Sequence, residues 1–199
     1  MDTTGIYRLR TICNTGITRA LALLFLTAVG SGSLIGVSSQ LPVLGRDQAG
    51  LGPEVGYRGY LLNSQGPLLG ASGSILFKTT KSCCHEFRTR VDAGYGVLPL
   101  LHESHWGFEA TASPTLGNVV VDHRGRFAAG GTGALALLYR VTPSRDLWQQ
   151  NSIVEPLPLL VPRIGFEFLA PTGPVSHGPV MALEFSITFR YMQWPTIAP

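Results

Sequence analysis

The sequence predicts an all-β protein, a single antiparallel up-and-down transmembrane β-barrel with eight strands as the expected number. Three observations lead to this prediction. Apolar and polar residues alternate with a period of two in seven segments between residues 51 and 191. Charged residues make up 14% of the 199 residues, against about 25% in an ordinary soluble domain. Glycine is abundant, at 24 residues, and no segment sustains the i, i+3, i+4, i+7 spacing of an amphipathic helix.

Residues 1–33 have the composition of a secretory signal peptide. Arg8, Arg10 and Arg19 form a basic region, followed by the apolar run ALALLFLTAV and the small residues GSGS. Ten apolar residues are too few to cross a bilayer, so a retained anchor is the less favoured alternative. We expect cleavage between about residues 30 and 40. The formal net charge of +3 then falls to +1, because residues 1–39 hold three Arg and one Asp.

The first three predicted strands are residues 51–62, 68–79 and 87–97. In the third, FRTRVDAGYGV, every second residue from Phe87 to Val97 is apolar or small, and the residues between them are charged or glycine. The other two alternate in the same way. The charged residues on the polar faces of these strands are Glu54, Arg58, Lys78, Arg88, Arg90 and Asp92.

Four more strands follow, at residues 105–113, 127–141, 160–170 and 181–191. The last, MALEFSITFRY, alternates without interruption. Lengths of this order suit tilted membrane-spanning strands, which need about 9–11 residues. The charged residues on their polar faces are Glu109, Arg140, Arg163, Glu167, Glu184 and Arg190.

Bacterial barrels of this kind have an even number of strands, so one strand is missing from the seven. Two segments could supply it, LIGVSSQLPVLG at 34–45 and LWQQNSIVEPL at 147–157. We favour the first, which makes residues 34–50 either a linker or the first strand. The barrel then covers residues 51–194, and residues 195–199 form a C-terminal tail.

This strand order also assigns the connections. The segment NSQGP becomes a short turn on the inner side of the membrane. PTLGNVVVDHRGR, residues 114–126, becomes a longer loop on the outer side, as is usual for such barrels. PSRDLWQQNSIVE is then an unusually long inner turn.

The polar faces are predicted to point into the barrel. They carry twelve charges of both signs among small residues, whereas the apolar faces carry none. A narrow interior needs small side chains and paired charges, because an unpaired buried charge is very costly. Large aromatic residues near the segment ends are expected at the headgroup level of a bilayer: Tyr57, Trp106, Tyr139, Tyr191 and Trp194. The alternative is a soluble periplasmic β-barrel or sandwich with the aromatic rows in its core and a hydrophobic ligand.

Over residues 51–194 this pattern resembles the small outer-membrane β-barrels of Gram-negative bacteria. The segment LEFSITFRYMQW is similar to the amphipathic last strand that the barrel insertion machinery reads in that family, although PTIAP follows where the family usually stops. The resemblance implies location in the bacterial outer membrane. It also implies outer-membrane lipid and the insertion machinery as partners.

An eight-stranded barrel is just wide enough to be filled by its own side chains. We therefore expect the inward charges to form a plug, and a structural, anchoring or surface-loop binding role. A narrow pore through the same charges is an alternative. A lipid A-modifying enzyme is another, because His102 and Ser104 in LLHESHW resemble the His-x-Ser pair of lipid A deacylases. That family's pair lies on a late strand, whereas this one lies mid-chain, so we predict a polar turn and no enzyme.

No metal, cofactor or nucleic acid is expected. Cys83 and Cys84 are adjacent in CCHE, which lacks the C-x-x-C spacing that lets two thiolates reach one ion. No glycine-rich phosphate loop opens a helix. No basic stripe with interleaved aromatic residues, which would indicate a nucleic-acid surface, is found.

Overall fold

The protein forms one closed eight-stranded barrel. The computed structural model describes residues 30–45, 49–61, 65–78, 85–99, 105–121, 124–141, 154–172 and 178–195. The strands are β1 (Gly30–Leu44), β2 (Gly50–Tyr60), β3 (Gln65–Lys78), β4 (Glu86–Val97), β5 (Trp106–Val121), β6 (Arg124–Arg140), β7 (Val154–Pro171) and β8 (Val180–Pro195). Each strand pairs antiparallel with its sequence neighbours, and β1 pairs with β8. The predicted fold class and strand number are confirmed.

Within the described parts of the chain, no helix is both long and apolar enough to span a membrane.

β1 is the strand that was missing from the seven. It contains the favoured segment 34–45 but begins four residues earlier, at Gly30. Gly30 pairs with Tyr60, and Ser31 pairs with both Gly59 and Gln193. Residues 30–33 therefore lie in β1, and the predicted cleavage between about residues 30 and 40 stays a prediction. The remainder of the predicted signal peptide, residues 1–29, lies outside the described residues.

The competing segment 147–157 contributes only its last residues, where β7 begins at Val154. Its first part lies outside the described residues. The predicted outer loop at residues 114–126 is wrong as well, because β5 continues to Val121 and β6 starts at Arg124. Pro114 suggested a loop, but it points outward in the wall, and a strand tolerates a proline where one ladder bond is absent.

The two ends of the barrel carry different connections. We call the end where β1 starts and β8 finishes the terminal end, and the opposite end the far end. Connections at the far end span residues 45–49, 79–85, 122–123 and 172–179, so none exceeds eight residues. At the terminal end they span residues 61–64, 98–105 and 141–153, and the last of these is 13 residues long.

Burial alternates through the middle of the strands, with the apolar face on the outside. Ile35, Leu135 and Ile187 are each more than 60% exposed, although they lie in the middle of their strands. The residues between them point inward and are mostly polar or small. The alternative of a soluble barrel or sandwich with the aromatic rows in its core is therefore wrong. Phe166 and Phe168, for example, lie on the outer surface.

Candidate functional site

The interior of the barrel holds a network of charged side chains. Because successive residues of a strand point to opposite faces, each charge on the polar parity is directed into the lumen. Lys78 keeps 3% of its side chain exposed, and Arg140, near the terminal end, is half-buried. The other ten predicted residues are buried: Glu54, Arg58, Arg88, Arg90, Asp92, Glu109, Arg163, Glu167, Glu184 and Arg190.

β4 sets the axial order of this network. Its inward residues Glu86, Arg88, Arg90 and Asp92 follow one another from the far end towards the terminal end. Alternate residues of a strand are about 6.6 Å apart, so these side chains enter the lumen at four successive levels. These side chains bond residues from strands across the barrel. They form three groups, because Glu86 and Arg88 bond each other and belong to the same group.

The group nearest the terminal end is centred on Glu109. Its Oε2 accepts a hydrogen bond from Nη1 of Arg58 at 2.5 Å, and both oxygens accept from Arg190. Tyr60 donates its hydroxyl to Oε1 at 2.6 Å. The second guanidinium nitrogen of Arg58 bonds Asp92 at 2.5 Å, and Asp92 also accepts from Ser113. Two carboxylates are thus held by two guanidinium groups and two hydroxyls.

Gly96 makes room for this group. A Cβ atom on Gly96 would lie 2.6 Å from the Tyr60 hydroxyl and 2.8 Å from Cγ of Glu109. Neither distance is possible without displacing the two side chains. The absence of a side chain at Gly96 therefore allows Tyr60 and Glu109 to meet.

The middle group is centred on Arg90. Its Nη1 bonds both oxygens of Glu184 at 2.5 Å, and its Nη2 lies 2.6 Å from Glu54. Arg163 shares the same two carboxylates at longer distances, 3.1 Å to Glu184 and 3.7 Å to Glu54. Nε of Arg90 bonds the hydroxyl of Ser72 at 3.3 Å. Arg90 is therefore more tightly paired than Arg163.

The group nearest the far end joins Arg88 to two carboxylates. Arg88 lies 3.0 Å from Glu86 and 3.0 Å from Glu167. Lys78 lies 3.1 Å from Glu86, which also accepts the backbone N–H of Val120 at 2.8 Å. Positive and negative groups thus alternate around the lumen here too.

Sequence reasoning missed two members of the network. Glu86 was read as part of a CCHE loop, although it has the same parity as Arg88 and Arg90 and extends their strand by one alternation. Tyr60 has the parity of Arg58, but the sequence analysis did not include it. Extending each alternation to the end of its segment would have found both.

Apolar residues occupy the lumen beyond the charged groups, which the sequence analysis did not predict. The terminal-end cluster consists of Tyr60, Leu68, Leu98, Ala136, Leu138, Leu157, Leu159, Val161 and Met192. The far-end cluster consists of Val119, Ala128, Leu169 and Val180, with Val121 packed against it. Most of the charged side chains therefore lie between two apolar clusters, whereas Arg140 lies at the terminal end and Lys78 at the far end of its strand.

The predicted interface aromatics gather at the terminal end. Tyr57 and Tyr191 both pair with Ser33 from opposite sides, and Tyr57 is half-buried. Trp106 and Tyr139 are exposed, face each other across β5 and β6, and have ring centroids 4.7 Å apart. The pairing includes Trp194, opposite Glu155, but its side chain lies outside the described ones.

The weak catalytic candidates His102 and Ser104, and the adjacent Cys83 and Cys84, lie outside the described residues. His85 is exposed and contacts the ring of Phe77 at 4.9 Å. In the described ranges, no group of three or more His, Cys, Asp or Glu side chains could hold a metal ion.

Comparisons with known proteins show the fold. No family model matches the chain, and no curated protein matches it. Among solved structures it is similar to Ail, the attachment invasion locus protein of Yersinia pestis, with a TM-score of 0.51 and 10% identity over 83% of this chain and 99% of Ail. It is also similar to Neisserial surface protein A, with a TM-score of 0.49 and 13% identity over 81% of this chain and 94% of that one. Both are eight-stranded outer-membrane barrels, and this chain has the eight-stranded barrel fold of Ail.

Proposed function

We propose that this chain is an integral protein of the bacterial outer membrane, with a structural or anchoring role and a lumen filled by its own side chains. The observation that carries the proposal is the distribution of charge across the wall. Buried charges of both signs line the inside, while large apolar residues cover the outside. In water such a surface would be very unfavourable, whereas lipid hydrocarbon accommodates it.

The height of the outer apolar band supports this assignment. Phe127 and Tyr139 lie twelve residues apart on the outer face of β6, and the outward residues between them are uncharged. At about 3.3 Å per residue and a tilt of about 40°, they are separated by about 30 Å along the barrel axis. That distance matches the hydrocarbon thickness of a bilayer, about 30 Å.

The contents of the lumen favour a plug over a pore. Arg58 and Arg190 both donate hydrogen bonds to Glu109 across the barrel. The terminal-end cluster lies next to them and offers no polar group to a passing ion apart from the Tyr60 hydroxyl, which is bonded to Glu109. An ion crossing this region would lose its hydration without replacement, which makes conduction unfavourable.

The short far-end connections favour anchoring over ligand binding by surface loops. If the termini face the periplasm, as is general for these barrels, the far end faces outward. Its connections reach at most eight residues. Ail is named for attachment and invasion. Connections this short leave little surface for a comparable role in this chain.

Two partners follow from the proposal, outer-membrane lipid and the barrel insertion machinery. The amphipathic strand β8 supports the second, because Phe189 and Tyr191 form its outward aromatic row close to the C-terminus.

The proposal is tested first by membrane fractionation of a Gram-negative host that expresses the full chain. We expect the protein in the outer-membrane fraction, with faster gel migration when it is not heated. Ile187→Arg, which places a charge on the outer face, is expected to reduce assembly, whereas Gln193→Arg near the terminal end is not. Recovery in the soluble periplasmic fraction would refute the proposal.

Two assays test the alternative functions, conductance for the pore and release of fatty acid from lipid A for the enzyme. Purified protein in a planar bilayer is expected to give no steady current. A steady current that changes with Arg90→Ala would instead establish the pore. Release of fatty acid from lipid A that is abolished by Ser104→Ala would establish the enzyme.

A further inference from the structure

A row of three polar residues crosses β7, β8 and β1 on the inner face of the barrel. Arg163 pairs with Ser186, and Ser186 pairs with Ser38 on its other side. All three are buried, with 7%, 4% and 2% of their surface exposed. Directly paired residues on one face of an antiparallel sheet have Cβ atoms about 5 Å apart, so the three side chains are neighbours.

Several hydrogen-bonding atoms of this row have no partner among the described residues. They are Nε and Nη2 of Arg163 and the hydroxyl oxygens of Ser186 and Ser38. The remaining nitrogen of the same guanidinium group, Nη1, lies 3.1 Å from Glu184 and 3.7 Å from Glu54. Buried donors and acceptors without a partner are costly, and folded proteins seldom keep several of them together.

Glu54 lies close enough to belong with these residues. It pairs with Gly36, two positions before Ser38 on β1, and its Oε1 is the oxygen that lies 3.7 Å from Nη1 of Arg163. Its Oε2 is also buried without a partner. We call Arg163, Ser186, Ser38 and Glu54 the serine–arginine cluster. It offers guanidinium donors, two hydroxyls that can donate or accept, and one carboxylate oxygen that accepts.

The charges around the serine–arginine cluster favour a neutral ligand. Arg90 and Arg163 bring two positive charges to the middle group, and Glu54 and Glu184 bring two negative charges. A halide or a metal ion bound here would leave one charge uncompensated, which is very costly away from water. A ligand that accepts from Arg163 and donates to Oε2 of Glu54 has both hydrogen-bonding roles and no net charge.

Short side chains surround the guanidinium group on the inner face. Ala136 pairs with Arg163 on the β6 side, and Ser186 and Ser38 follow on the β8 side. None of these side chains extends as far into the lumen as that of Arg163. The ligand that fits beside it is therefore small as well as neutral.

We propose that the serine–arginine cluster binds water inside the lumen. The water accepts a hydrogen bond from Nε or Nη2 of Arg163 and donates to Oε2 of Glu54 or to a serine hydroxyl, which gives it the two to four polar partners that a buried water needs. The terminal-end cluster and the far-end cluster lie on either side along the barrel axis. The bound water is thus enclosed and does not form part of a conducting column.

The test is a crystal structure of the full chain, refolded in detergent and crystallised in sodium bromide, at a resolution that shows ordered water. We expect solvent density at hydrogen-bond distance, about 2.7–3.2 Å, from Nε or Nη2 of Arg163. The same density should contact Ser186, Ser38 or Glu54. It should give no anomalous signal at the bromine absorption edge.

Two serine variants provide a matched comparison. Ser186→Val replaces an unpartnered hydroxyl with a methyl group and adds a second methyl group in the space of the water, so the density beside Arg163 should disappear. Ser72→Val makes the same change at a buried serine of the middle group whose hydroxyl already accepts from Nε of Arg90 at 3.3 Å. It should leave that density in place.

Three results would overturn the proposal. They are the absence of solvent density beside Arg163, an anomalous bromide peak at that position, which would indicate an anion site, and an equal effect of the two serine variants. If Ser186→Val does not fold, as judged by its gel migration without heating, the first two results still decide. The location of the protein in the cell does not enter this test, so its failure leaves the proposed function standing.

Discussion

Replacing Glu109 with Gln tests whether the lumen network stabilises the barrel. The substitution keeps the shape of the side chain but removes the charge that faces two guanidinium groups, those of Arg58 and Arg190. Arg58 retains Asp92 as a partner at 2.5 Å. Arg190, which is 1% exposed, loses the carboxylate that neutralises it.

Breaking a buried ion pair by removing one partner typically costs about 3–5 kcal/mol, because an uncompensated charge stays buried. We expect Glu109→Gln to lower the free energy of unfolding by about that amount. Tyr60→Phe removes only the hydroxyl that bonds Glu109 at 2.6 Å, so its expected cost is about 1–3 kcal/mol. We expect the larger loss of unfolding free energy for Glu109→Gln, because it leaves a charge unpaired, whereas Tyr60→Phe leaves none.

Urea unfolding of the protein in lipid vesicles, followed by tryptophan fluorescence and by gel migration without heating, measures both variants. The double variant Glu109→Gln with Arg190→Met serves as the control. Removing both partners should recover part of the loss, since no charge then stays unpaired at that position. A loss below about 1 kcal/mol for Glu109→Gln would refute the reasoning, because that is the value typical of exposed pairs.

Three other predictions follow from the wall and its ends. Ile187→Arg should destabilise the barrel in vesicles by about 2–4 kcal/mol and Gln193→Arg by about 1 kcal/mol or less, and equal effects would contradict the placement of the apolar band. Gly96→Ala should cost about 1–3 kcal/mol through overpacking against Tyr60, and the loss should shrink in a Tyr60→Phe background. Mass spectrometry of the mature chain should place its N-terminus at Ser31 or earlier, because Ser31 pairs with both neighbouring strands, and a start after Ser33 would contradict this.

The alternation of residues predicted the strands and their two faces, and the charges of both signs among small residues predicted which face points inward. It worked best where charged residues mark the inner parity, as in β4 and β8. It failed where both faces are apolar. The start of β7 reads VEPLPLLVP, in which no parity can be distinguished, and inward residues such as Leu157 and Leu159 belong to the terminal-end cluster.

The boundaries of the strands were harder to predict than their existence. Gly30 to Ser33 are small residues next to an apolar run, a composition shared by cleavage sites and by strands packed closely against neighbours. Residues 114–126 were predicted as a loop, whereas the barrel accommodates Pro114 within β5. The ion-pair partners within the lumen could not be predicted, because they depend on the register between strands far apart in sequence. Glu109 of β5 and Arg190 of β8 are an example.

The contacts of Glu109 also bear on how the chain assembles. Arg58, Glu109 and Arg190 come from β2, β5 and β8, so the last cation arrives only when the final strand takes its place beside β1. Until that step an open sheet would present ionised groups to the membrane interior. Insertion and circular closure should therefore be concerted, and a chain truncated before β8 should be retained in the periplasm for degradation.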